Sequence, residues 1–105
     1  MGNRGNISLK YKNGEKIYFY SHWGGDNESL STIVRDALIR GKDRWGDESY
    51  LARIIFSEMI KEEVEKSTGY GIAPYQIDAG GFVEIDLGQQ TVNNIPFEMF
   101  VSPPK

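Results

Sequence analysis

The sequence predicts an α+β domain: one antiparallel β-sheet of about five strands with two helices packed on one face. Three observations carry this. Apolar and polar residues alternate from Ile7 to His22, apolar residues recur at helical spacing from Leu30 to Val64, and alternation returns from Tyr75 to Val101. The resulting order β-β-α-α-β-β-β lacks the strand–helix–strand rhythm of a parallel sheet, so antiparallel pairing is the economical expectation.

The first two strands form a hairpin. Ile7, Leu9 and Tyr11 alternate with Ser8, Lys10 and Lys12, and beyond Asn13-Gly14 the series Ile17, Phe19, Ser21 alternates with Tyr18, Tyr20, His22. A two-residue turn at Asn13-Gly14 would set Lys10 opposite Ile17, mixing polar with apolar on one face. A three-residue loop Lys12-Asn13-Gly14, with Gly14 in the left-handed conformation, instead sets Leu9 opposite Ile17 and Ile7 opposite Phe19. The other face then carries Asn6, Ser8 and Lys10 beside Lys16, Tyr18, Tyr20 and His22, with Arg4 reaching the His22 end.

Gly24-Gly25 ends the second strand. Leu30, Ile33, Val34, Ala37 and Leu38 then define a helix that stops at Gly41, with Asp26, Asn27 and Ser29 as competing N-caps. After a linker over 42–46, Asp47 caps a second helix expected from Glu48 to Lys66. Its apolar residues cover more than one stripe, which places it across the centre of the domain. Tyr75 and Ile77 are expected to pair with Val83, Ile85 and Leu87 as a second hairpin around Ala79-Gly80-Gly81. A turn at Asn93-Asn94 leads to a last strand through Ile95, Phe97, Met99 and Val101, with Pro96 at its start or on an edge. Residues 1–105 are thus expected to form a single domain with 102–105 as a flexible tail.

Composition narrows the chemistry. There is no cysteine, which removes disulfides, thiolate metal sites and a cysteine nucleophile. The net charge of −3 argues against duplex nucleic acid as a partner, while a small anion needs only two or three cations in one place. No apolar run suits a membrane helix or a secretory signal, so a cytoplasmic location without membrane contact is expected. No cofactor and no metal are expected, since no Walker loop, dinucleotide fingerprint, H-E-x-x-H helix or calcium loop is present.

The most unusual run is Tyr18-Phe19-Tyr20-Ser21-His22-Trp23-Gly24-Gly25. Tyr18, Tyr20 and His22 on one face form an aromatic row on which a base could stack, at about 1–3 kcal/mol per base. Arg4, Arg40 and Arg44 are the cations available to a phosphate, and Trp23, Gly24 and Gly25 complete the candidate ligand-binding set. Each has a plainer reading. An aromatic row on an uncovered sheet face also buries against a second copy or a partner. Two glycines also serve a strand-to-helix turn, and Arg40, Lys42 and Arg44 complement a helix dipole. His22, the only histidine, would have to act in any histidine acid–base step, with Asp26, Asp43 or Asp47 as its partner. Glu58, Glu62, Glu63 and Glu65 read as a solvated helix face.

The opening Met1-Gly2-Asn3-Arg4-Gly5 with Ile7, and Ile17 to Trp23 ending in Tyr20-Ser21-His22-Trp23-Gly24-Gly25, resembles small uncharacterised proteins encoded by bacteriophages and by prophage or archaeal loci. The likeness covers about the first quarter of the chain. It implies a context in which small acidic phage proteins bind and block a host factor, including host-defence factors, or sequester a signalling nucleotide in the host cytoplasm. The favoured reading is a non-catalytic, self-associating protein that binds or sequesters a host factor. Two alternatives accompany it: a sponge for a small nucleotide at the aromatic and arginine set, and a small hydrolase with His22 as general base.

Overall fold

The computed structural model describes residues 4–22, 25–61, 65, 69–77 and 80–102. Strands β1 (Gly5–Lys10) and β2 (Lys16–Ser21) form the first hairpin, in the register expected: Leu9 faces Ile17 and Ile7 faces Phe19. The Tyr11 N–H bonds the Glu15 carbonyl at 2.8 Å and the Gly14 N–H bonds the Tyr11 carbonyl at 2.9 Å, closing the loop over Lys12-Asn13-Gly14. Gly14 has φ 91°, a backbone region in which glycine replaces a strained side chain.

Helix α1 (Asn27–Arg40) is capped by Asp26, whose carboxylate accepts the Ser29 N–H at 3.1 Å. Asn27 has another task, accepting the Phe82 N–H at 2.7 Å. Helix α2 (Glu48–Ile60) is capped by Asp47 and ends earlier than expected. Of the further residues to Lys66, positions 62–64 and 66 lie outside the described set. Between the helices, a 3-10 turn (Lys42–Arg44) leads to Trp45, whose indole N–H bonds the Leu38 carbonyl at 2.9 Å.

The sheet departs from expectation in its second half. Strands β3 (Tyr70–Ala73), β4 (Gly81–Asp86), β5 (Thr91–Val92) and β6 (Ile95–Pro96) complete a six-stranded sheet of order β3-β2-β1-β4-β5-β6. It is mixed rather than antiparallel, because β4 pairs with β1 in parallel while β3 pairs with β2. The expected hairpin of Tyr75 and Ile77 with Val83 and Ile85 does not form. β3 and β4 instead run in the same direction, with β2 and β1 between them.

The segment Phe97–Val101 is a short helix, α3, rather than a strand. Its apolar residues satisfy both periods, since Ile95, Phe97, Met99 and Val101 alternate while Phe97, Phe100 and Val101 share a helical face. Packing decides the outcome. Phe97 is buried edge-on against Trp45 at 5.2 Å between centroids, and Phe100 and Val101 pack on the core, leaving Met99 exposed.

The core lies between the sheet and the helices, built from Ile7, Leu9, Phe19, Val83 and Ile85 below and Leu30, Val34, Leu38, Leu51 and Ile55 above. Each such side chain contributes about 1.5–3 kcal/mol on burial. The central helix is α1, which lies over β1 and β4 with α2 and α3 beside it, so the expectation that the second helix takes that place is corrected. Tyr50, one of the apolar positions of that helix, is exposed.

The approach of α1 depends on two glycines. Gly5 and Gly81 are register partners on β1 and β4, and a Cβ at either would strike the Gly25 carbonyl oxygen where the chain enters the helix. Gly81→Ala is therefore expected to lower stability by about 1–3 kcal/mol in urea unfolding. Gly46→Ala, with open space around it, should stay within about 0.5 kcal/mol of the parent, and equal effects would contradict the packing.

Candidate functional site

The sheet face turned away from the helices carries the even-numbered residues of β1, β2 and β4. Register sets Asn6 beside Tyr20 and Phe82, Ser8 beside Tyr18 and Glu84, and Lys10 beside Lys16 and Asp86. Tyr18, Tyr20 and His22 stand in one row here, each half-buried. The Tyr20 hydroxyl shares a 3.1 Å hydrogen bond with His22 Nδ1, and the two rings lie 6.4 Å apart at 57°. Gly71 and Ala73 on β3, the neighbours of Tyr20 and Tyr18, are too small to cover the rings.

The face is crossed by backbone. Asn6 Nδ2 donates to the Ile77 carbonyl at 2.8 Å and Asn6 Oδ1 accepts the Ile77 N–H at 3.2 Å, fastening the segment at Ile77 onto the sheet. Asn6 is consequently fully buried, and the pair of bonds contributes about 1–3 kcal/mol that its loss would remove. Nothing in the sequence distinguishes this asparagine from a solvated strand residue. Ser8 is also fully buried, and its hydroxyl has no hydrogen-bond partner among the described residues. Near it, Lys16 reaches across β1 to Glu84 at 3.0 Å.

The edge beside this face belongs to β3. The His22 N–H donates to the Gly69 carbonyl at 2.8 Å, so in the antiparallel alternation Gly71 and Ala73 also turn their backbone groups toward β2. Ile72 turns its N–H and C=O outward, and its side chain is 57% exposed. Tyr75, just past the strand, is 65% exposed.

Of the arginines named with the row, Arg4 adjoins its His22 end in the strand register, whereas Arg40 and Arg44 are not gathered around it. Arg40 lies on the helix layer, with Nη2 3.1 Å from Glu58 Oε1, and Lys61 donates to the other oxygen of Glu58 at 2.6 Å. Glu58 is thus a buried carboxylate held between two cations, and its reading as a solvated residue is corrected. Helical spacing conceals this, because the signal for burial is a cation on a different helix. Arg44 lies 5.1 Å over the Tyr50 ring, also on the helix side. Arg4 is exposed at the start of β1, where its carbonyl accepts the Gly81 N–H at 3.0 Å. Gly25 is buried and serves the close packing at Gly5 and Gly81. Trp23 and Gly24 lie outside the described residues.

Helix α1 presents negative charge where an anion would bind its N-terminus, the Asp26 carboxylate on the cap and Glu28 in the first turn. Of the carboxylates considered as partners for His22, Asp26 and Asp47 cap helices and Asp43 lies on the 3-10 turn of the helix layer. Among the described residues no group of three His, Asp or Glu side chains is placed to hold a metal, and no helix is long and apolar enough to cross a membrane. No family model, curated protein or solved structure significantly matches the chain.

Among the described residues, Lys16, Lys61 and Tyr11 favour their protonated forms in the folded chain. The hydrogen bond to Glu84, then its charge, raises Lys16 above the ordinary lysine value, and Glu58 does the same for Lys61. Burial, then the Glu48 charge, raises the Tyr11 phenol. A raised folded value means stability that is complete below the unfolded pKa, about 10 to 10.5, and lost as pH rises through the folded one. Tm is expected to fall above about pH 10. Glu84→Gln should make that decline shallower, and an unchanged slope would contradict the Lys16 assignment.

Proposed function

We propose that this is a non-catalytic binding protein that takes an extended segment of a host protein along the β3 edge, with the Tyr18–Tyr20–His22 row beside it. The observation that carries the reading is the outward backbone of Ile72, on an edge whose Gly71 and Ala73 adjoin the Tyr20 and Tyr18 rings on a face that no described helix covers. The exposed Ile72 side chain, in register with Phe19, lies on the helix side of the same edge. An added strand gains main-chain hydrogen bonds at such an edge, and neighbouring side chains supply selectivity. The edge carries none of the usual devices against pairing beyond its shortness, since Tyr70-Gly71-Ile72-Ala73 has no charge and no proline.

Neither alternative finds comparable support. A nucleotide on the aromatic row would need several cations beside it, and Arg40 and Arg44 lie on the other layer, against Glu58 and over Tyr50. A hydrolase would need a carboxylate to orient His22, and two of the three considered are fixed as helix caps. The host partner is of the kind that the N-terminal resemblance to phage proteins implies.

Native mass spectrometry of the chain purified from host cells tests this. We expect one host protein in stoichiometric complex, absent when Ile72→Lys is purified the same way and weakened by Tyr20→Ala, both variants melting close to the parent. A bare chain, or the same protein held equally by Ile72→Lys, would overturn the reading. A homodimer that Ile72→Lys dissociates would reassign the edge to self-association.

A further inference from the structure

A second surface lies on the opposite layer, where the 3-10 turn meets the first turns of α2. Arg44, Ser49, Tyr50, Arg53 and Ile54 line a groove of about 480 Å³, within the range of small-molecule sites. Helical geometry assembles it: Ser49 and Arg53 are one turn apart, as are Tyr50 and Ile54, and Arg44 comes over the Tyr50 ring from the preceding turn at 5.1 Å.

Its charge is unbalanced. Arg44 and Arg53 are both exposed, and neither has a carboxylate within ion-pair distance among the described residues. Asp43, adjacent to Arg44 in sequence, forms no ion pair with it, and two further acids near the groove are held by hydrogen bonds. Asp47 accepts the Tyr50 N–H and the Ser49 hydroxyl, and Glu48 accepts the Lys12 N–H. Two guanidinium forks in an acidic chain, beside a tyrosine ring that is 57% exposed and the apolar flank of Ile54, are complementary to an anion carried on a flat ring.

We propose that the Arg44–Tyr50–Arg53 groove binds a planar heteroaromatic ring bearing a phosphate, as in a nucleoside monophosphate. The arginines take the phosphate oxygens, and the ring packs on the Tyr50 and Ile54 side. The site is independent of the sheet face: it shares no residue with the β3 edge, and either stands if the other fails.

The probes are AMP, adenosine and ribose 5-phosphate, titrated into the full chain while backbone amide resonances are followed by NMR. AMP is expected to shift the resonances of residues 44–54 selectively, and each half-molecule to bind at least about tenfold more weakly. Arg44→Ala and Arg53→Ala, both surface changes, should each weaken AMP by about tenfold or more with Tm unchanged, while Tyr20→Ala leaves it unaltered. The proposal is overturned if AMP leaves these resonances in place, if the shifts centre on β2 and β3, if ribose 5-phosphate binds as well as AMP, or if the arginine variants bind like the parent.

Discussion

The contact on which the rest of the fold depends is the passage of the Gly25 carbonyl over Gly5 and Gly81. Those two residues lie side by side on β1 and β4, and the absence of a Cβ on both lets the chain turn into α1 directly above the parallel pair. From that point α1 runs over the centre of the sheet and buries Leu30, Val34, Ala37 and Leu38. The Asn27 carboxamide oxygen, accepting the Phe82 N–H, ties the same corner a second time. Close approach by glycine costs backbone entropy in a strand, and the burial of a helix face offsets it.

Two unlike surfaces follow. On one layer α1, α2 and α3 cover the sheet, and the charged groups between helices pair with one another, as Glu58 does with Arg40 and Lys61. On the other, the cover among the described residues includes the segment at Ile77 held by Asn6, with the tyrosine row half-buried and β3 as an edge. A face of this kind offers shape, aromatic area and main-chain hydrogen bonds.

Much of the first half of the fold was legible in the sequence. Alternation alone set Leu9 against Ile17, because the competing register would have mixed Lys10 with Ile17, and Asp47 marked its helix by residue type. The second half was not legible, for physical reasons that can be named. A strand reading Tyr70-Gly71-Ile72-Ala73 has glycine where pattern recognition expects a side chain, and β4 alternates as well beside a parallel neighbour as beside an antiparallel one. In Phe97–Val101 the two periods coincide, and only Trp45, brought there by the 3-10 turn, selects the helix. The aromatic row was readable as a row. Its separation from Arg40 and Arg44 was not, since only the layering of the sheet places them on opposite sides.

The most direct measurement is backbone amide exchange in the isolated chain, read residue by residue by NMR along β3. The outward-facing Ile72 amide should exchange rapidly while those of Gly71 and Ala73, turned toward β2, are protected. Protection of Ile72 equal to that of its neighbours would mean that the edge is already covered in the isolated protein, and would contradict the account of how it binds.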